Sequence, residues 1–339
     1  MQRLGLGFYQ LSTNEQYAYE LLENALKNYR ASCDVSRVNR KVDLMKVLHT
    51  VLGDNPKIIY FNKTVIRMMS GLFTKQMNFT GCLGKAQVIK KEAQMQKVLE
   101  DAVWLIDKKA KNDREILQGI SEYLQENTIY DYDELNYCIK GKSKHLDSHT
   151  AYGALVNNKA VCDGISAAYA LIAQYFGIRC MVVEGKSSFN SSSKVDHAWN
   201  IVEYDKAFYH VDSTWDTNTY ETTKNFSYNY FGLDDDEISF DHDWDYHTTP
   251  ICNKDKLSYY VHNSLIAKSE SQLENIVLSE IRQGKKVIRL KVSLGIPIPE
   301  DYTNFYGDML GQAFGKAGKA CQFNYIWNSR TRCLEVIEL

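Results

Sequence analysis

The chain has 339 residues, 44% of them hydrophobic and 24% charged, and its formal net charge is -2. This length allows one large domain or two to three smaller ones, and the composition is ordinary for a globular protein. Lysine and arginine are scattered along the chain, whereas duplex nucleic acid requires a concentrated basic face, so no nucleic-acid partner is expected. No window approaches eighteen uncharged apolar residues, so no transmembrane segment is expected.

The N-terminus and the cysteines bear on where the protein works. The opening stretch, MQRLGLGFYQLSTNEQ, has no apolar core and no small-residue cleavage site, so no signal peptide is predicted. We therefore expect a cytoplasmic protein, or a secreted one if a leader has been removed. The eight cysteines contain no CxxC pair, which excludes zinc fingers and thioredoxin-type motifs. Because a chain of this size needs no disulfides, most cysteines should be reduced and buried.

The N-terminal part of the sequence predicts alternating helices and strands. Ser12 followed by Glu15 forms a capping-box pattern, which indicates a helix that continues to about Tyr29. A second helix is predicted to end at Gly53, and Pro56 prevents its continuation. The predicted segments after the first helix are strand 33–38, helix 42–52 and strands 57–61 and 64–69.

The middle of the chain changes from helical to strand periodicity. From about Lys90, apolar residues recur at helical spacing over 98–106 and again over 116–124. After Asp196 the period becomes two, which predicts paired strands on either side of a turn near Asp205.

The C-terminal part repeats the order of elements found at the N-terminus. A capping box at Ser271 and Glu274 predicts a helix, followed by a strand over 285–294 and a helix near Tyr302–Lys316. Strands 321–327 and 333–339 come last. We predict accessory α/β modules at 1–90 and 256–339 that share a topology and flank a core at 91–255, without contributing to its functional residues.

The stretch KAVCDGISAAYALIAQYFGI (159–178) predicts a buried helix with a cysteine at its start. Apolar side chains from Ile165 to Phe176 recur at helical spacing, and Gly177 supplies the C-terminal cap. At the helix start, the dipole and the unpaired backbone N–H groups favour the thiolate form of Cys162. Gly164 permits close approach by a partner or a substrate. A free cysteine is also a common core residue, so the position alone leaves a structural role open.

A base and an orienting group for this cysteine occur in the predicted hairpin. His197 opens the strand HAWNIVEY, and Asp212 closes the strand AFYHVD. In an antiparallel hairpin closed by an even-length loop, residues an odd number apart lie on the same face. If the loop centres on Tyr204 and Asp205, His197 lies directly opposite Asp212, close enough for an imidazole–carboxylate hydrogen bond. Together with Cys162, this pair predicts a nucleophile, a base and an orienting acid.

These stretches, over 159–185 and 196–216, resemble the transglutaminase-like superfamily, in particular its bacterial single-chain members. The family motif has a cysteine that begins a helix, a histidine before Ala-Trp-Asn, and an aspartate in a His-Val-Asp-x-Thr-Trp-Asp run. Cys162, His197 and Asp212 occupy those positions. Segments 122–133 and 228–244 also resemble the flanks of the bacterial core, so the resemblance covers about residues 115–250.

The resemblance implies a papain-like cysteine site that performs acyl transfer. Cys162 would be the nucleophile, His197 would take its proton and return it to the leaving amine, and Asp212 would hold the His197 tautomer. The backbone N–H of Cys162 would be one oxyanion donor, and the second donor is not identified. Trp199 and Trp215 are expected to pack around the hairpin, with a substrate-wall role as the alternative.

The acidic stretch LDDDEISFDHDWDYH (233–247) is a second candidate site. Asp241, Asp243 and Asp245 match the first three positions of a calcium-binding loop. Tyr246 stands where that loop requires glycine, and Cys252 where it requires glutamate, so an EF-hand is excluded. We expect a solvated acidic loop, with an adventitious divalent-cation site as the alternative.

The remaining histidines and the loops give no further site. His242 and His247 have no HExxH motif around them, so zinc catalysis has no support. His145 and His149 are interpreted as structural, because one base suffices. The polar run 184–196 is expected to be a surface loop at the rim of the cleft. No phosphate-binding glycine loop occurs, so no cofactor is implied, and no metal is expected.

The sequence therefore predicts an α+β fold in which a helix with Cys162 packs on an antiparallel sheet with His197 and Asp212. The expected function is hydrolysis or acyl transfer at an amide of a peptide or protein, through a thioester acyl-enzyme. The substrate could be a protein, a peptidoglycan stem peptide or a small amide. The alternative is a non-catalytic protein- or cell-wall-binding module that kept the fold. An intact trio favours the enzyme, because a non-catalytic module has no physical reason to retain three ionisable groups. Removing poorly satisfied buried polar groups would even improve its stability.

Overall fold

The computed structural model confirms the predicted α+β class. It describes residues 3–70, 75–81, 83–188, 194–298, 300–319 and 322–339. Helices alternate along the chain with strands, which form four separate sheets, the largest of them with five strands. Within these described ranges, no helix is long and apolar enough to cross a bilayer. The six cysteines in the described ranges are all free thiols, and four of them are buried.

The N-terminal part packs two helices on a three-stranded antiparallel sheet with the order β1-β3-β2. The capping box of Ser12 and Glu15 is confirmed, and Asp43 caps the second helix. The predicted strand 57–61 is wrong except at its last residue. Ile58 N instead donates to Asn55 O, which closes a turn after the helix. The elements are α1 (Thr13–Lys27), β1 (Ser32–Asp34), α2 (Leu44–Asp54), β2 (Phe61–Ser70) and β3 (Lys75–Gly81).

The central part places a set of helices against the five-stranded sheet. Its helices are α3 (Lys85–Asp107), α4 (Asp113–Asn127), α5 (Tyr132–Ile139), α6 (Ala151–Leu155), α7 (Cys162–Tyr175), α8 (Ser213–Thr223) and α9 (Asp235–Ile238). Its strands are β4 (Ile129–Tyr130), β5 (Lys159–Ala160), β6 (Cys180–Ser187), β7 (Val195–Tyr204), β8 (Ala207–Val211), β9 (Phe231–Leu233) and β10 (His242–Asp243). The large sheet is antiparallel with the order β10-β6-β7-β8-β9, and β4 pairs with β5 in a separate parallel ribbon.

Helix α7 is the centre of the core. Ile165, Ala168, Tyr169 and Ile172 are completely buried, as their helical spacing predicts. They belong to one hydrophobic cluster with α4 and with Val202 and Val211 of the sheet. Burial of this face on the sheet therefore fixes where the first residue of α7 stands.

The C-terminal part repeats the helix-on-sheet arrangement in a four-stranded sheet with the order β11-β12-β14-β13. The second of its long helices spans Tyr302–Lys316, as predicted. The N-cap of the first long helix is Ser269 rather than Ser271, because the Ser269 hydroxyl accepts from Gln272 N. The elements are α10 (Tyr259–His262), β11 (Ile266–Ala267), α11 (Glu270–Arg282), β12 (Val287–Val292), α12 (Tyr302–Lys316), β13 (Phe323–Asn328) and β14 (Cys333–Glu338).

The two ends of the chain show the same succession of helix, strand, helix and hairpin. In each, the first strand of that unit pairs antiparallel with the last strand: β1 with β3, and β12 with β14. The parallel strand β11 is an addition at the C-terminal end. Each end has its own hydrophobic cluster. The module boundaries at 90 and 256 remain a prediction.

Candidate active site

Cys162 is the first residue of α7, and its side chain is partly exposed. At this position the backbone N–H has no acceptor inside the helix, and the positive end of the helix dipole lies next to the thiol. Gly164 has a different role from the predicted one. A Cβ there would stand 2.2 Å from the carbonyl oxygen of Ser148, so the close neighbour is the protein's own backbone. The same carbonyl accepts from Val161 N, which fixes the start of the helix.

The hairpin brings His197 and Asp212 to one face, although the predicted register was wrong by two residues. The turn residues are Asp205 and Lys206, both with positive φ, so Tyr204 pairs with Ala207. Two positive φ values are typical of the type I′ turn that joins twisted strands. Asp212 is consequently diagonal to His197 instead of opposite. The odd spacing keeps both side chains on the same face, and His197 Nε2 lies 2.7 Å from Asp212 Oδ2.

His197 is held as an imidazolium. Burial disfavours its charge, but the Asp212 carboxylate and the Cys162 thiol outweigh burial and raise the pKa of His197 to about 9. Because Asp212 is an acceptor, Nε2–H donates to it, which leaves Nδ1 for the hydrogen bond with the thiol. The three predicted residues are therefore brought together, with the imidazole between the carboxylate and the thiol.

Asp212 is completely buried, yet its pKa lies well below the usual range for a carboxyl group. Burial opposes ionisation, and the two neighbouring imidazoles, His197 and His242, outweigh it. Asp212 also caps α8, because its Oδ1 accepts from Thr214 N at 2.9 Å and from Trp215 N at 3.2 Å. Four donors thus hold the carboxylate in one orientation.

His242 is a member of this network that the sequence did not predict. Its Nε2 lies 3.1 Å from Asp212 Oδ2, and its Nδ1 lies 2.5 Å from Asp241 Oδ1. Burial opposes its charge, but the hydrogen bonds with these two carboxylates raise the pKa of His242 to about 9. Asp241 also accepts from Tyr230 OH at 2.6 Å. His242 therefore lies behind the orienting carboxylate as a second cation.

This arrangement corrects the interpretation of 233–247 as a solvated acidic loop. Asp241 and His242 are buried, and β10 adds their segment to the edge of the large sheet. The candidate calcium ligands also separate: Asp243 pairs with Lys194, and Asp245 accepts from His247 N in a short turn. The sequence contained one signal for this burial, the large aromatic residue Trp244 within the acidic run, and Trp244 is indeed buried.

The aromatic residues of the motif surround the imidazoles. The ring of Trp199 is buried and stacks on His197 at a centroid distance of 6.0 Å. Trp215 packs against both His197 and His242, at 6.0 and 5.1 Å. Both tryptophans therefore pack around the hairpin as predicted. Beside Trp215, a cleft of about 500 Å³ separates α8 from the turn of the β13–β14 hairpin. Neither Cys162 nor His197 lines this cleft, so the substrate-wall role of Trp215 stays a prediction.

The C-terminal part approaches this network from behind. Arg330 lies over the Trp215 ring at 5.7 Å and 3.9 Å from Asp241.

The last aspartate of the motif, Asp216, accepts from Asn229 N and from Ser227 Oγ, and burial raises its pKa to about 8. These contacts fix the segment before Tyr230, whose carbonyl accepts from Asp212 N.

Tyr130 is the last residue of β4 and pairs with Ala160 of β5, two residues before Cys162. Burial and the neighbouring Cys162 and Asp163 raise the pKa of its phenol far above the ordinary value, so the hydroxyl remains a donor. Its backbone N–H donates to Glu221 at 2.6 Å, which anchors the strand to α8. Sequence reasoning did not identify this residue, since the segment 122–133 was matched only as a flank of the core.

The other predicted features lie away from the thiol–imidazole pair. His145 Nδ1 lies 3.0 Å from Asp131 Oδ2, and His149 lies between Glu134 and Asp163, the residue after Cys162. The predicted rim loop 184–196 is wrong at both ends, because residues 184–187 belong to β6 and residues 195–196 to β7. Residues 189–193 of this prediction fall outside the described residues.

Comparisons with known proteins agree with the motif. Residues 104–213 match the model of the transglutaminase-like superfamily. Kyphoscoliosis peptidase from Mus musculus is 32% identical over 87 residues, and its Homo sapiens counterpart is 32% identical over 84 residues. These matches cover 23% and 22% of this chain but only 13% of either relative. A solved structure of a TGase is 19% identical with a TM-score of 0.33, covering 44% of this chain and 43% of that chain.

Proposed function

We propose that the transglutaminase-like core carried by this chain is a cysteine-dependent enzyme acting on amide bonds of a peptide or protein. The observation that supports this most strongly is the alignment of Asp212, His197 and Cys162 at the start of a buried helix. The matched family supports an enzyme of that superfamily, and the reaction type follows from the chemistry of these three groups.

The reaction begins with the Cys162 proton on His197, and the Cys162 sulfur attacks the amide carbonyl carbon. The electrons of the C=O π bond move to oxygen and form a tetrahedral oxyanion. When this intermediate collapses, the C–N bond breaks and the imidazolium of His197 gives its proton to the leaving amine. A thioester remains on Cys162. Neutral His197 then takes a proton from water or from an acceptor amine, whose attack releases the acid or the new amide.

The oxyanion requires donors that are already in place. The N–H of Cys162 is one, because it is the first residue of α7 and has no acceptor within the helix. We assign the second donor to the phenol of Tyr130, because Tyr130 pairs with Ala160, two residues before Cys162, and burial keeps the proton on the phenol. A donor of this kind stabilises the charge that develops only in the transition state.

The test is to screen peptide amides and glutamine donors for release of amine or ammonia. The parent, Cys162→Ala and Asp212→Asn proteins are compared. Asp212→Asn keeps the shape but favours the wrong His197 tautomer, so turnover should fall by about 10²–10⁴-fold with the fold intact. Cys162→Ala should abolish the covalent step.

The binding-module alternative predicts a different pattern. There, both substitutions leave ligand binding unchanged and there is no turnover to lose. If an activity is found and Asp212→Asn equals the parent within about twofold, Asp212 is not the orienting group and this assignment is wrong. Circular dichroism of each variant excludes misfolding as the cause of a loss.

A further inference from the structure

A second cluster of cysteine, histidine and acid lies on the other side of Asp163. Glu134 and Cys138 are four residues apart on α5, so both side chains project from the same face of the helix. His149 comes from the short helical turn Leu146–His149 that precedes α6. The cluster comprises Glu134 Oε1, Cys138 Sγ and His149 Nε2, all within 4.8 Å of one another.

The distances between these three atoms match one face of a coordination tetrahedron. Cys138 Sγ lies 3.7 Å from both Glu134 Oε1 and His149 Nε2, and the oxygen and nitrogen are 3.0 Å apart. Zinc bound at ordinary bond lengths to sulfur, nitrogen and oxygen requires ligand–ligand separations of about 3.6 Å to sulfur and about 3.3 Å between nitrogen and oxygen. The three side chains therefore need only tenths of an ångström of adjustment.

Hydrogen bonds from neighbouring residues also orient the ligand side chains, as in established zinc sites. His149 Nδ1 lies 2.9 Å from Asp163 Oδ2, which fixes that nitrogen as the donor and turns Nε2 toward the cluster. The buried carboxylate of Glu134 accepts from Ser143 Oγ at 2.6 Å and from His145 N at 2.7 Å. His149 and Glu134, two of the three ligands, thus have the outer partners that hold a metal ligand in place.

The other two clusters of this kind within the described residues do not suit a metal. His197, Asp212 and His242 form the proposed active site, where both imidazoles already donate to Asp212. In the cluster of His210, Asp235 and Cys252, the indole N–H of Trp199 donates to His210 Nδ1 at 2.9 Å. Nε2 must then carry the ring proton, which it donates to Asp235, so it has no lone pair for a metal.

We propose that Glu134, Cys138 and His149 bind a zinc ion, with a water molecule completing the tetrahedron. One thiolate and one carboxylate neutralise the two charges of the ion, and this mixed sulfur, nitrogen and oxygen set in tetrahedral geometry is typical of zinc. Cys138 is exposed and the His149 side chain is 29% exposed, so the ion has an entry path. The bound ion would tie α5 to Asp163, next to the nucleophile.

The experiment measures binding of Zn²⁺ and Co²⁺ to the full chain after treatment with a chelator. We expect one equivalent to bind, with the near-ultraviolet absorption of a cobalt–thiolate bond. Cys138→Ser should remove that absorption, and Cys138→Ser and His149→Gln should each weaken zinc binding by at least about 10²-fold. Asp163→Asn, which removes only an outer partner, should weaken it by about 10-fold.

Two variants control for nonspecific effects. His145→Gln alters a neighbouring histidine outside the cluster, and Cys162→Ala removes the thiol on the other side of Asp163; both should bind zinc like the parent. Because Cys162→Ala abolishes the proposed chemistry, metal binding is tested independently of the proposed function. The proposal is overturned if the parent binds no stoichiometric zinc, or if binding survives Cys138→Ser and His149→Gln unchanged.

Discussion

Two of the groups that combine a thiol, an imidazole and a carboxylate in the described residues, the proposed active site and the α5 cluster of Glu134, Cys138 and His149, differ in what surrounds the thiol. At the proposed active site, the thiol begins a helix and faces an imidazolium whose far side is held by Asp212. At the α5 cluster, the thiol of Cys138 stands beside the carboxylate of Glu134. Burial and that carboxylate raise the pKa of Cys138 to about 11. The first setting favours a nucleophile, whereas the second has no cation beside the thiol and would hold a thiolate only with the proposed metal ion bound.

The comparison teaches that exposure does not identify the reactive thiol. Cys138 is the more exposed of the two, but its charged neighbour opposes the thiolate, whereas Cys162 has a cation beside it. The two clusters also differ in how the carboxylate is used. Asp212 is ionised and holds two imidazoles, whereas Glu134 shares one imidazole, His149, with Asp163.

The largest effect within this comparison is expected at Tyr130. Tyr130→Phe removes only the hydroxyl that we assign as the second oxyanion donor, so kcat and kcat/KM should each fall by about 10²-fold while KM changes little. The matched control is Tyr132→Phe, because Tyr132 is 52% exposed and follows closely on the same segment. Equal activity of Tyr130→Phe and the parent would remove Tyr130 from the oxyanion site.

A smaller effect is expected from the second imidazole. His242→Gln removes a charge-assisted hydrogen bond to the buried Asp212; at the lower end of the range for such bonds, about 1.5 kcal/mol, kcat should fall by about 10-fold. Because the like charge of His242 disfavours protonation of His197, its loss should also shift the alkaline limb of the pH–rate profile upward.

The control for this substitution is His247→Gln, an exposed histidine of the same segment that lies outside the network. It should retain both the rate and the pH profile. A loss of rate in His242→Gln without movement of the alkaline limb would indicate a structural role alone.

The smallest effect concerns stability as a function of pH. The pKa of His242 is about 9 in the folded protein and about 6.5 in the unfolded chain. Its contribution to the free energy of unfolding is therefore complete below about pH 6.5 and is lost as the pH rises to about 9. His210, whose pKa burial lowers, acts in the opposite direction below that range. Urea unfolding at pH 6.5 and 9 should show a drop that is smaller in His242→Gln, and an equal drop in both proteins would contradict this.

Much of the proposed site could be predicted from the sequence, because its signals are local. The odd spacing of His197 and Asp212 places both side chains on one face for any loop of even length, which is why a register error of two residues did no harm. The type I′ turn at Asp205 could not be foreseen, since it depends on positive φ at two residues that lack glycine's freedom.

The parts that were missed depend on distant segments. His242 approaches Asp212 only because β10 pairs with β6 at the edge of the sheet. A strand of two residues is too short for its periodicity to predict that pairing. Likewise, the fit between Cys138 and His149 requires α5 and the turn before α6 to meet. The close approach at Gly164 was expected from its small size, but its partner is the carbonyl of Ser148, which lies in the same turn before α6.

The most direct measurement of the central claim is the rate of alkylation at individual cysteines. The metal-free native protein is treated with iodoacetamide near neutral pH, and the labelled peptides are mapped over time in the parent and in His197→Gln. The account predicts that Cys162 reacts first, well ahead of the more exposed Cys138, and that this advantage disappears in His197→Gln. Labelling of Cys138 as fast as Cys162, or an unchanged rate at Cys162 in His197→Gln, would contradict it.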